Sequence, residues 1–209
     1  MNAQPTAPEF AADEVSPEDR ARADFYALIA RLFYAGPDAG LLAAIAAADE
    51  IAGEGENRSL PQAWNALVSA AAAMDAEAVG EEYDSVFVGT GKAEITPYAS
   101  HYLAESMKEN VLVRLRTELA AMGLARGLGV AEYEDHFASL CEVMRHLVFL
   151  DSDAAVQKQK KFFFVYIEPW YVNFCDSVII SDNTNFYKHV ARFTKAFIDL
   201  EKESFEIGQ

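Results

Sequence analysis

The sequence predicts an all-α protein, a single globular helical-bundle domain of roughly seven to nine helices, and three observations carry that prediction. Of its 209 residues 52% are hydrophobic, with alanine supplying much of that share, a composition that favours helices over sheets. Apolar side chains recur three and four positions apart along most of the chain. Only seven prolines interrupt it, and the length suffices to bury a substantial core in one domain.

The elements follow in order. Residues 1–15, MNAQPTAPEFAADEV, mix proline, alanine and acid without periodicity and are expected to form a flexible tail, which leaves 16–209 as the folded domain. Ser16 as N-cap, Pro17 at the first helical position and Asp19 open the first helix. Phe25, Leu28, Ile29, Leu32 and Phe33 line its buried stripe, and Gly36-Pro37 ends it. An alanine-rich helix is expected from Asp38 to Ala52, then a polar linker, GEGENRS, whose glycines and charges forbid burial. The next helix opens after Leu60-Pro61 and runs through Trp64, Leu67 and Val68 towards Met74, and another covers Asp75 to Val88.

Beyond a glycine loop, Pro97 should begin one long helix carrying Tyr102, Met107, Val111, Leu112 and Leu115, closed by Gly123. From Tyr133 to Leu150 a helix places Phe137, Leu140, Cys141, Met144, Leu147 and Val148 on one face. A further helix starts at Asp153 and passes through the aromatic run Phe162 to Tyr166, and Pro169 bends or divides it at Glu168. Asp182-Asn183 is expected to cap the last helix, which carries Phe186, Val190, Phe193, Phe197 and Leu200.

Thirty-three acidic and 17 basic residues give a formal charge of −16, which repels nucleic-acid phosphates and anionic lipid surfaces and favours basic partners. On charge alone, solubility is the preferred reading of the same excess over a steering role. Cys141 and Cys175 both fall within apolar helical patterns and read as buried free thiols. The N-terminus lacks a basic region followed by an apolar core, and no apolar run approaches the ~18 residues of a membrane span, so a cytoplasmic protein without membrane insertion is expected.

Gly89-Thr90-Gly91-Lys92 superficially matches the end of a phosphate-binding loop, but the first glycine would fall at Val86 and the magnesium-binding hydroxyl at Ala93. Metal catalysis in a helical bundle needs Glu and His three apart on two helices. Glu142 and His146 are four apart, and His101, His136 and His189 are scattered. No metal or other cofactor is therefore expected.

The stretch 82–102, EYDSVFVGTGKAEITPYASHY, joins an aromatic helix end to a glycine loop and a second aromatic cluster, a layout suited to binding. It resembles the signature of the TorD/DmsD family of redox-enzyme maturation chaperones. Phe87, Gly89, Pro97, Tyr98, Ser100 and Tyr102 fill the pattern, while Val86, Thr90 and Thr96 depart from it. A second match is Asp135-His136 followed by Glu142-Val143-Met144. A third, Ile167-Glu168-Pro169-Trp170, is weaker because Tyr166 stands where the family has His.

The resemblance implies a non-enzymatic chaperone of a dimethyl-sulfoxide-reductase-class molybdoenzyme. Its partners would be the apo catalytic subunit and that subunit's twin-arginine signal peptide, and it would assist molybdenum cofactor insertion and delay export. The implied client-binding residues are Tyr83, Phe87, Gly89, Pro97, Tyr98, Ser100, Tyr102, Asp135, His136 and Glu142. Such a peptide needs carboxylates beside an apolar groove, which Asp135 and the aromatic residues can supply. Asp135 has a second reading, as a carboxylate in the first turn of its own helix. Phe87 is the expected core member of the set and Tyr98 the expected exposed one.

The rival reading is a catalytic helical bundle, a metal-dependent hydrolase or oxidase using His136 and Glu142. Both a monomer and a dimer that exchanges halves through the Gly123 to Val130 loop are compatible with the pattern.

Overall fold

The computed structural model describes residues 16–53, 58–103, 110–127, 131–150 and 153–207. The expected tail 1–15, most of the GEGENRS linker, Met107 and part of the Gly123 to Val130 loop lie outside the described residues. Within them the chain forms ten α-helices and one π-helical turn. These are α1 (Pro17–Tyr34), α2 (Ala39–Ala46), α3 (Ser59–Ala73), α4 (Ala76–Tyr83), the π-turn (Asp84–Val88), α5 (Ala99–Leu103), α6 (Val111–Ala121), α7 (Phe137–Val148), α8 (Asp153–Tyr166), α9 (Tyr171–Ile180) and α10 (Tyr187–Ile207).

The centre of the bundle is α1 laid along α7. Ser16 Oγ accepts from Asp19 N at 3.0 Å and fixes the start of α1, and Tyr26, Ile29, Leu32 and Phe33 then point inward at helical spacing. The inward face of α7 is the predicted stripe of Phe137, Leu140, Cys141, Met144, Leu147 and Val148. Around this pair α8 covers α7, α10 packs on α9 and α3, and α2 packs on α3. Aromatic rings fill the interior: Phe33 meets Phe87, Phe137, Phe174 and Tyr187, with centroids 5.1 to 6.1 Å apart. Each such ring contributes about 1.5–3 kcal/mol by burial alone. Cys141 and Cys175 are buried free thiols, as expected.

A part-buried ion pair joins the ends of α1 and α10. Arg22 grips Glu201 through Nε and Nη2 at 2.7 and 2.8 Å, and Tyr26 Oη donates to the same carboxylate at 2.9 Å. Gln159 accepts from Arg22 and donates to the Leu147 carbonyl, so α1, α7, α8 and α10 share one satisfied network.

Four expectations are corrected. The second helix stops at Ala46 instead of Ala52, because the following segment turns to bond α3: Trp64 Nε1 donates to the Asp49 carbonyl and Asn65 pairs with both backbone groups of Ile51. The single helix expected from Pro97 to Gly123 is divided. Asn110 is extended, and its side chain caps α6 by accepting from Leu112 N and Val113 N. The helix expected from Tyr133 begins at Phe137.

Last, Asp182-Asn183 does not cap α10, which starts four residues later. Its first amides are held by a side chain distant in sequence, Glu82, which accepts from Phe186 N at 2.9 Å and Tyr187 N at 2.7 Å. The Pro169 division is seen as predicted, between Tyr166 and Tyr171. No helix among the described residues is long and apolar enough to cross a membrane.

Candidate functional site

The two motif segments meet through main-chain bonds. The helix expected from Asp75 to Val88 runs as α4 to Tyr83 and widens into the π-turn over its last five residues. This turn ends at Gly89, whose amide bonds the Asp84 carbonyl at 2.7 Å and whose φ is +64°. A Cβ there would lie 2.2 Å from the Lys92 carbonyl oxygen, so the sharp return of the chain requires glycine. Ile95 N then donates to the Val86 carbonyl at 3.0 Å and draws the loop back over the turn.

The returning strand-like segment is zipped to the start of α7. Phe137 N donates to the Pro97 carbonyl at 2.8 Å and Ala99 N to the Asp135 carbonyl at 2.9 Å, an antiparallel bridge centred on Tyr98 and His136. Asp135 Oδ2 accepts from Ser100 N at 3.0 Å. Its carboxylate thus satisfies the Ser100 amide in α5, and Asp135 precedes α7, which corrects the expectation that it lies in the first turn of that helix. The α7 cap is His136, whose Nδ1 accepts from Ala138 N at 3.1 Å. That bond leaves the proton of the neutral ring on Nε2. Burial pushes the His136 pKa down to about 4, against the opposing pull of Glu132 and Asp135, so the ring is neutral at pH 7.

The ten implied site residues divide by exposure. Tyr83, Phe87, Pro97, Asp135 and His136 are buried, Gly89, Tyr98 and Tyr102 are half-buried, and Ser100 and Glu142 are exposed. Phe87 is a core member, as expected, wedged against Phe33, Phe174 and Tyr187. Tyr83 shares that role and anchors the end of α1, its hydroxyl lying 2.9 Å from the Tyr34 carbonyl. Tyr102 stacks on Trp170 at 4.9 Å, which joins the weak third motif to the first. Tyr98 is less free than expected. Its ring meets His136 edge-on at 4.9 Å and its hydroxyl donates to Glu132. Burial first, then this bond, raises the phenol pKa above its ordinary range.

Sequence reasoning passed over Glu132, Tyr133, Glu134 and Tyr34. Tyr133 is 53% exposed and Tyr34 40%, and the Tyr133 ring lies 6.4 Å from that of Tyr98. The run Glu132-Tyr133-Glu134-Asp135, acids around an aromatic residue directly before His136, is the sequence signal that marks the first three, and nothing comparable marks Tyr34. Beside this surface a cleft of about 450 Å³ opens between α1, the end of α6 and α7. Leu119, Leu124, Ala138 and Val143 wall it, and Glu134, Glu142 and His146 bring polar groups to it. Glu142 is paired with Arg145 at 2.9 Å.

His136 and Glu142 do not come together as a reactive pair. His136 is the extended N-cap residue before α7 and is buried, whereas Glu142 lies within the helix and is exposed. No group of three His, Cys, Asp or Glu side chains suited to a metal occurs among the described residues. The arrangement offers aromatic faces and carboxylates beside an apolar cleft, a chemistry of recognition.

The fold is a helical bundle in which two distant motifs form one surface beside an apolar cleft. The family model described as nitrate reductase delta subunit matches residues 54–176, more than half of the chain, and the protein belongs to that family. It is 28% identical over 205 residues to a chaperone protein TorD of Shewanella loihica, covering 90% of this chain and 95% of the relative. To a chaperone protein TorD of Vibrio parahaemolyticus it is 26% identical over 166 residues, covering 72% and 77%. The fold is similar to the crystal structure of a candidate redox enzyme maturation protein from Archaeoglobus fulgidus, with a TM-score of 0.53, 18% identity, and coverage of 93% of this chain and 99% of that one.

Proposed function

We propose that the protein is a maturation chaperone of the TorD type. It acts in the cytoplasm on the apo catalytic subunit of a dimethyl-sulfoxide-reductase-class molybdoenzyme, binds that subunit's twin-arginine signal peptide, assists insertion of the molybdenum cofactor and delays export. The observation that carries this reading is the bridge between Tyr98 and His136, which fuses the two family motifs into one surface beside the apolar cleft. The TorD relatives support the same reading across most of the chain.

The physical fit lies in charge and shape. A basic section needs carboxylates, and Glu132, Glu134 and Glu142 lie around the motif surface and the cleft. An apolar section needs a greasy groove, which Leu119, Leu124 and Val143 provide. Asp135, His136, Pro97, Phe87 and Tyr83 shape that surface from beneath, and Tyr98, Ser100, Tyr102 and Glu142 are positioned to touch the client. Affinity capture of the tagged protein from its native cells, followed by mass spectrometry, tests the reading. Recovery of a molybdoenzyme catalytic subunit supports it, and recovery of no redox-enzyme subunit under gentle conditions counts against it.

A further inference from the structure

This chain carries nearly twice as many acids as bases, yet four of its arginines gather around one cleft. Arg31 and Arg126 line it, Arg145 pairs with Glu142 at its edge, and Arg116 holds Glu134 at 2.9 Å. Arg126 stands apart from the others in what it touches. Its guanidinium carbon lies 5.9 Å from the centre of the Tyr133 ring, and its charge helps Arg116 to hold the Glu134 carboxyl below the usual carboxylate range. An exposed guanidinium over an exposed aromatic face, beside a carboxylate, is the environment expected for a client's arginine.

We infer that Arg126 is an internal stand-in for a partner's arginine, seated over the Tyr133 ring near Glu134, and that it must leave before a client guanidinium can take that place. This rests on the peptide-binding reading above and adds self-competition to it. Both contact partners are on the surface, so the contact is weak and exchanges readily. Self-occupancy of this kind raises the threshold for random basic segments, while a segment that also fills the apolar cleft gains enough contact to displace it. The device therefore acts on selectivity more than on maximal affinity.

The test uses N-acetyl-arginine amide as probe, titrated by NMR into the isotopically labelled wild-type chain, Arg126→Gln, Arg192→Gln and the double variant Arg126→Gln/Tyr133→Leu. Arg192 is exposed on α10 and does not line the cleft, so its variant controls for the lost charge. Arg126→Gln is expected to bind the probe about two- to five-fold tighter than wild type, the range set by an exposed cation–aromatic contact. Amide shifts should centre on Tyr133 and Glu134, Arg192→Gln should match wild type, and Tyr133→Leu should remove the gain. The inference is overturned if Arg126→Gln binds no tighter than Arg192→Gln, if the shifts lie elsewhere, or if no chain binds the probe. A paired-arginine signal peptide titrated separately into the wild-type chain judges the peptide-binding reading, so the two failures are distinguishable.

Discussion

Asp135 receives hydrogen bonds from two successive residues of the other motif: its backbone carbonyl from Ala99 N at 2.9 Å and its carboxylate from Ser100 N at 3.0 Å. With its side chain buried, Asp135 is the residue through which the second motif positions Tyr98, Ser100 and Tyr102 of the first. Asp135→Ala leaves the Ser100 amide without its carboxylate partner and should cost about 1–3 kcal/mol. Asp135→Asn keeps an acceptor and should cost less. Urea unfolding of both variants measures this, and equal, negligible losses would show that the carboxylate is not the tie described.

His136 makes stability depend on pH. The folded ring titrates near 4 and an ordinary histidine near 6.5, so between those values the unfolded chain binds a proton that the folded chain refuses. Stability should therefore fall as pH drops through that window, with His136 contributing up to about 3 kcal/mol of the loss. His136→Asn preserves a capping acceptor without the titration and should flatten the profile. Denaturation midpoints measured at pH 7, 6, 5 and 4 for both proteins decide the point.

Gly89 is held at positive φ with no room for a Cβ. Gly89→Ala should destabilise by more than the ~1 kcal/mol of left-handed strain alone, because the Lys92 carbonyl must also move. That displacement alters the return of the loop towards Tyr98. Hydrogen exchange at Ile95 N, which bonds the Val86 carbonyl, should speed up in the variant.

Glu82→Gln probes scaffold alone. Its carboxylate is the only partner described for two amides at the start of α10, so neutralising it should lower stability by about 0.5–2 kcal/mol. Client binding by the folded protein should be unchanged, which sets Glu82 apart from Tyr98 in a paired measurement of stability and affinity.

Local signals in the sequence predicted most helices, because capping and apolar spacing act within a few residues. Ser16-Pro17 opens α1, the α7 stripe is buried as read, and Pro169 divides α8 from α9. What escaped depends on partners distant in the chain. The cap of α10 comes from Glu82, over a hundred residues earlier, and the α2 boundary from bonds to α3. Motif resemblance named the candidate residues but not which of them are buried and which exposed. Only the fold shows that Asp135 and His136 lie beneath a surface whose exposed members include Tyr133 and Tyr34, residues that carry no periodic signal.

The central claim is that this surface binds a peptide with paired arginines and an apolar section. Its most direct measurement is calorimetric titration of such a peptide, taken from a molybdoenzyme of the native cell, at low and moderate ionic strength, with Tyr98→Ala alongside wild type. We expect binding that weakens with salt, weakens again when the arginines are replaced, and loses a kcal/mol or more in Tyr98→Ala, about the size expected for an interface anchor. Absence of binding, or binding indifferent to both salt and arginine, would contradict the account.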